Sequence, residues 1–369
     1  MDALPVALCL CGDVMTARGV DQILPHPCSP AIFEPYVRDA RQYVEMAEST
    51  NGPIARPVDF GYPWGDATRV LASVDLRIAN LETAVTADGV PWTDKGIHYR
   101  MHPDNVRCLA AARLDVCTLA NNHALDWGRG ALLETLDSLH RAGIATAGAG
   151  PKLAEAQRFA FLPVRAGRVG VLALGASSSG IPRSWAAKQD RAGLWMLRHC
   201  TEREADAVGE RIARTKRRGD IVIASLHWGS NWGYEVPDEH VAFAHALIER
   251  GVDVIHGHSS HHLRPIEVQR DRLVLYGCGD FLNDYEGIAG HEDFRPDLAL
   301  AYLPKLDPTT GRLLELRMAP WRIRRMRLES ATLGDAAWMA ETLSRIGAAY
   351  GTRVAVDAGG YLALAHQSL

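Results

Sequence analysis

The stretch DIVIASLHWGSNWGYEVPDEHVAFAHALIERGVDVIHGHSS, residues 220–260, decides how the rest of the chain is read. An apolar run, Ile221 to Leu226, ends at His227. Pro237, Asp238 and Glu239 then form a helix start, and Arg250-Gly251 a helix stop. A second apolar run follows and ends at His258. The order is strand, helix, strand, with a histidine closing each strand. A lone histidine at a strand end reads as a hydrogen-bonded structural residue, so the meaning of this pair depends on how the other strands end.

Working outward, the same rhythm recurs. Residues 76–82, 115–123, 168–175 and 272–281 read as further buried strands, as does the run from Val6 to Cys11. Residues 129–142, 202–218 and 335–349 carry helical patterns. Alternation of this kind predicts an α/β fold with buried sheet, spanning 1–369 as a single domain. Two regions depart from it. Residues 25–66 are rich in proline, with a helical stretch near 35–48, and read as an inserted, lid-like segment over the core. Phe33, Tyr36, Phe60, Tyr62 and Trp64 give that segment apolar surface to bury. Residues 306–369 read as an extension of strands and a helix. The basic run at 321–330 has the loose alternation of one strand with arginines on one face.

The totals narrow the class. A net charge of −4 gives no electrostatic case for nucleic-acid binding. Seven cysteines, an odd number without a CxxC pair, predict reduced thiols rather than a disulfide framework. No stretch approaches the roughly 20 apolar residues of a spanning helix, and a cytoplasmic protein is expected.

The strand ends share one feature. Asp13 follows the first run; Asn80 and Glu82 close the second; Asn121, Asn122 and His123 close the third, with Asp126 beyond. His227 closes the strand of the opening stretch, and His258, His261 and His262 follow the next. In α/β sheets ligands bind outside the carboxyl ends of the strands. Carboxylates, carboxamides and imidazoles converging there form a donor set for divalent metal ions.

The stretches GDVMTARGVD (12–21), ANLETAV (79–85), LANNHALDWG (119–128), residues 227–268 and LYGCGDFLNDYEG (275–287) resemble, in order, the motifs of the capsule and poly-γ-glutamate synthesis protein family. That family is similar to the calcineurin-like metallophosphoesterases. The resemblance implies a sandwich of two β-sheets flanked by helices and a two-metal site, with Mn, Zn, Fe, Co and Ca all open as the ions. Carried over by position, Asp13 and His261 would bind the first metal, Glu82 would bridge, and Asn122, His227 and His258 would bind the second. His123 would be an outer-sphere acid or base. Three features depart from the pattern. Met15 stands where a histidine is usual, the bridging residue is Glu82 rather than aspartate, and GHSSH (257–261) is one residue longer than usual, which leaves His261 and His262 both open.

Two metals can hydrolyse a phosphoester or stabilise an enolate. The family's link to a glutamate polymer, its soluble members resembling lasso-peptide epimerases, and the lack of an N-terminal anchor favour a metal-dependent peptide epimerase. It would invert a Cα centre in a peptide, with a ribosomal precursor peptide as the natural partner. Asp13 or His123 would serve one face and His291 the other, with Trp228, Trp232 and Tyr234 as substrate walls. The alternatives are a two-metal phosphoesterase and a non-catalytic component of poly-γ-glutamate or capsule synthesis. The oligomeric state is left open.

Overall fold

A computed structural model describes residues 4–366. Two β-sheets face one another, and helices cover their outer faces. In the first, ten-stranded sheet, Val6–Val14 is central. Leu76–Leu81, Val116–Thr118 and Ala145–Ala147 follow on one side, all parallel. Leu298–Leu306 and Leu313–Arg324 continue the sheet antiparallel on the other side. In the second, seven-stranded sheet, Gly167–Ala176, Asp220–His227, Val254–His258 and Arg272–Leu275 run parallel.

The side-chain period of two assigns each strand residue to a layer. Val6, Leu8 and Leu10 point inward, where they meet Ile78, Val169, Val171, Ile221, Ile223 and Leu275. Cys9 and Cys11, the alternate set, face outward beneath Leu132, Leu136 and Leu139 of the helix Gly128–Arg141. On the outer side of the second sheet, Val222, Ala224 and Leu226 pack with Val208 and Ile212 of Glu202–Thr215 and with Phe243 and Leu247 of Asp238–Glu249. All seven cysteines are buried free thiols. Among the described residues no helix is long and apolar enough to cross a membrane.

Several boundaries differ from the sequence reading. The helix expected near 35–48 is Arg41–Asn51. Its Tyr43 and Val44, and Trp64 further on, do pack over the core, whereas Phe33 and Tyr36 are 47% and 70% exposed. The strand expected over 115–123 ends at Thr118, and Asn121–His123 lie in the turn beyond. The run 272–281 is two strands in different sheets: Arg272–Leu275 in the second and Asp280–Leu282 beside Val6–Val14 in the first. The crossing passes through Gly277 and Gly279, the latter at φ +75°, a conformation glycine adopts without strain. The run 321–330 is a hairpin rather than one strand, because Arg325 and Met326 both take φ of 54° and reverse the chain.

Candidate metal centre

Register brings the polar strand ends together. His227 lies directly opposite His258 in the second sheet, and Asp13 is paired with Asn80 on one side and Asp280 on the other in the first. All of these side chains are buried. The Nδ1 atoms of His227 and His258 are 2.8 Å apart, and His258 Nδ1 is 3.8 Å from Asp13 Oδ1. One donor atom each from Asp13, His227 and His258 therefore falls within 4.8 Å of the others, as does one each from Asp13, His261 and Asp280.

The hydrogen bonds decide which atoms face inward. His258 Nε2 is 2.8 Å from Ser225 Oγ, and His227 Nε2 is 3.0 Å from Asn122 Oδ1. Each ring thus has a partner for an Nε2–H, which leaves two Nδ1 lone pairs facing one another. Burial holds both imidazoles well below their ordinary pKa, so neither carries a proton to place between them. Two acceptors at that separation beside a carboxylate form a donor set that a divalent cation satisfies. Burial and the charge of Asp280 push Asp13 up to about 7, and burial with Asp13 raises Glu82. The positive charge nearest these carboxylates is that of His261 beside Asp280, while Arg18 is bonded to Asp284 and Glu34, and Lys95 to Asp126.

The remaining expected residues have the following places. Glu82 Oε1 stands 3.8 Å from His123 Nε2, and its other oxygen receives Asn80 Nδ2 at 3.3 Å. Asn80 also donates to Asp13 Oδ1 at 2.7 Å. His123 Nδ1 donates to Asp126 at 2.6 Å, and its ring stacks on Tyr99 at 3.9 Å. Burial lowers His123 to about 4, so Nε2 presents a lone pair towards Glu82. Asn122 sits beyond His227, at Nε2 rather than in the Nδ1 group. His261 joins the cluster, whereas His262 turns its Nδ1 to the Leu263 carbonyl.

The aromatic walls are mostly not where they were expected. Trp228 is core: it is 2% exposed, bonds the Tyr276 carbonyl through Nε1, and stacks on His240. Strand alternation turns it away from the cleft that His227 faces. Tyr234 packs against His262 and Phe294 behind the cleft. Trp232 and His291 do line it, stacked at 3.7 Å, in a cavity of about 180 Å³ that also includes Tyr99, His123 and His261.

Sequence reasoning missed Asp280, Lys95, Ser225 and His256. Asp280 lay in plain view in GCGDF, but it was read as the tail of one long strand. Lys95, whose Nζ meets Asp126 and the Asn122 carbonyl, carries no local signal.

The profile of a family described as "Bacterial capsule synthesis protein PGA_cap" matches residues 7–285. The chain belongs to that family. It is 51% identical over 353 residues to a "probable polyglutamine synthesis accessory protein" of Mycobacterium tuberculosis, an alignment that covers 95% of this chain and 93% of that protein. The "PGA biosynthesis protein CapA" of Bacillus subtilis is 27% identical over 275 residues, 74% of this chain and 62% of its own. The 5′-nucleotidase precursor of Thermus thermophilus aligns over 86% of this chain and 54% of its own, with a TM-score of 0.47 and 14% identity. This PGA_cap chain is a two-sheet α/β sandwich whose polar strand ends meet at one edge.

Proposed function

We propose that the chain serves the making of a glutamate- or glutamine-based polymer as an accessory protein, and that its cleft is a divalent-metal centre of hydrolytic type. The observation that carries the second part is the buried Asp13–His227–His258 group, with the His123–Asp126 pair standing across Glu82 from it. The names of the M. tuberculosis and B. subtilis relatives support the first part. Asp13, His227 and His258 would hold an ion, with Glu82 beside them. Bound divalent ions supply Lewis acidity and a hydroxide at neutral pH. His123, oriented by Asp126, has Nε2 free to take a proton from the attacking group or return one to the leaving group. Trp232, Tyr99 and His291 flank the entrance.

Epimerisation at Cα, the reading favoured from sequence, has less behind it. None of these relatives is named for it, Trp228 is no wall, and the ring of Trp232 stands against both His291 and His261.

The test supplies the chelator-stripped chain with Mn²⁺ or Zn²⁺ and offers it an aryl phosphate and γ-linked glutamate oligomers. Metal-dependent release of phosphate or of shorter oligomers is expected. His123→Ala should slow release about 10²–10⁴-fold with metal content unchanged. Metal binding without turnover of either substrate would leave a non-catalytic accessory role. Deuterium gained from D₂O at an inverted Cα would restore the epimerase.

A further inference from the structure

Met15 leaves a gap in the donor set that the family resemblance implies. Its side chain is buried, and its sulfur meets the Tyr285 hydroxyl at 3.6 Å. A neighbouring strand supplies a carboxylate close by. Asp280–Leu282 runs parallel to Val6–Val14 with Asp280 paired to Asp13, and Asp280 is 1% exposed. Its Oδ1 lies 2.9 Å from His261 Nδ1, close enough to share a proton or a cation, and its Oδ2 receives Asn283 Nδ2 at 2.8 Å. Asp13 is common to this trio and to the His227–His258 group. Asp13, Asp280 and Glu82 thus crowd three carboxyl groups into one buried site, with the single imidazole of His261 against Asp280 and with Arg18 and Lys95 bonded to other carboxylates. One imidazole does not balance three buried carboxyl groups, and the remainder is met by a bound cation or by protonation.

We infer that Asp13, Asp280 and His261 form a second cation position, in which Asp280 takes the part of the histidine that Met15 replaces, and that the two positions differ in metal preference. The inference rests on the reading of the cleft as a metal centre. The Asp280 position offers two carboxylates and one imidazole, and oxygen-rich sets suit harder ions such as Mn²⁺. The other offers two imidazoles with the shared carboxylate, a set that suits Zn²⁺.

The experiment counts ions. The full chain is stripped with chelator and dialysed against Zn²⁺, Mn²⁺, or both. Bound metal is then measured by elemental analysis, and Mn²⁺ by electron paramagnetic resonance. The wild type should take up two ions per chain, and with both metals present one of each. Asp280→Asn, nearly isosteric, should keep the Zn²⁺ and lose the Mn²⁺. His261→Gln should do the same, which guards against a folding failure in either variant. Met15→His in the Asp280→Asn background should regain the second ion. Two ions in Asp280→Asn with unchanged affinity would overturn the inference alone and reduce Asp280 to an orienting partner of His261. No bound ion in the wild type would overturn both this inference and the metal-centre reading.

Discussion

At the scale of single residues, a chain of hydrogen bonds sets the working tautomer of His258. His256 Nε2 faces the Cys11 carbonyl at 2.9 Å, and a carbonyl only accepts, so the ring carries its proton there. Burial lowers His256 to about 4, which makes it neutral and its Nδ1 an acceptor. Ser225 Oγ, 3.1 Å away, donates to it and in turn accepts from His258 Nε2–H. His258 Nδ1 is left with its lone pair aimed into the site. Partners of this kind fix ring orientation and tautomer in metal sites, and their loss typically costs about 10–100-fold in affinity. Ser225→Ala should therefore weaken Zn²⁺ binding by about that factor in a competitive chelator titration, while the far-ultraviolet circular dichroism stays unchanged. Unaltered affinity would mean that the relay does not reach the metal.

At the scale of elements, the site depends on how closely two strands approach. A Cβ on Gly12 would lie 1.8 Å from the Gly279 carbonyl oxygen, which already accepts the Asp13 N–H at 3.0 Å. No side chain fits there, so Gly12→Ala must part the strands that carry Asp13 and Asp280. Its expected outcome is loss of bound metal together with a lowered unfolding midpoint. Gly130 is the contrast: it lies in the helix Gly128–Arg141 with nothing within 4 Å of an added Cβ. Gly130→Ala should raise stability by up to about 1 kcal/mol and leave metal content alone. Denaturant melts with elemental analysis of both variants check the pair. Equal behaviour would mean that strand spacing does not control the site.

For the whole molecule, Arg18 ties three distant segments together. Its guanidinium pairs with Asp284 beyond the Asp280–Leu282 strand and with Glu34 in the proline-rich segment, and it lies 3.9 Å over the ring of Tyr43. Tyr43 closes the network by bonding Glu34. Removing one partner of a buried charge network strands the others, at about 3–5 kcal/mol. Arg18→Met should lose about that much stability in urea. Hydrogen exchange should quicken together near 31–44 and 284–291, the segments that it joins. A loss confined to one of them would show that the network is not a shared tie.

Periodicity and punctuation, both local properties, determined the α/β class, most of the helices and the strands that end in Asp13, His227 and His258. A run such as Ile221–Leu226 has one sensible place, inside a sheet, and its last residue must then emerge at the sheet edge. Which strand ends meet was decided only by the tertiary structure, because register and sheet order arise from pairing between residues far apart in sequence. Asp280 reaches Asp13 across more than two-thirds of the chain, and only the crossing at Tyr276–Gly279 puts it in the first sheet. Lys95 arrives from a loop with no pattern at all. Trp228 shows the reverse case: its sequence position beside His227 suggested a cleft wall, and packing against His240 and Tyr276 drew it into the core instead. Burial of a large aromatic face depends on what the finished fold places against it, and no local pattern records that neighbour.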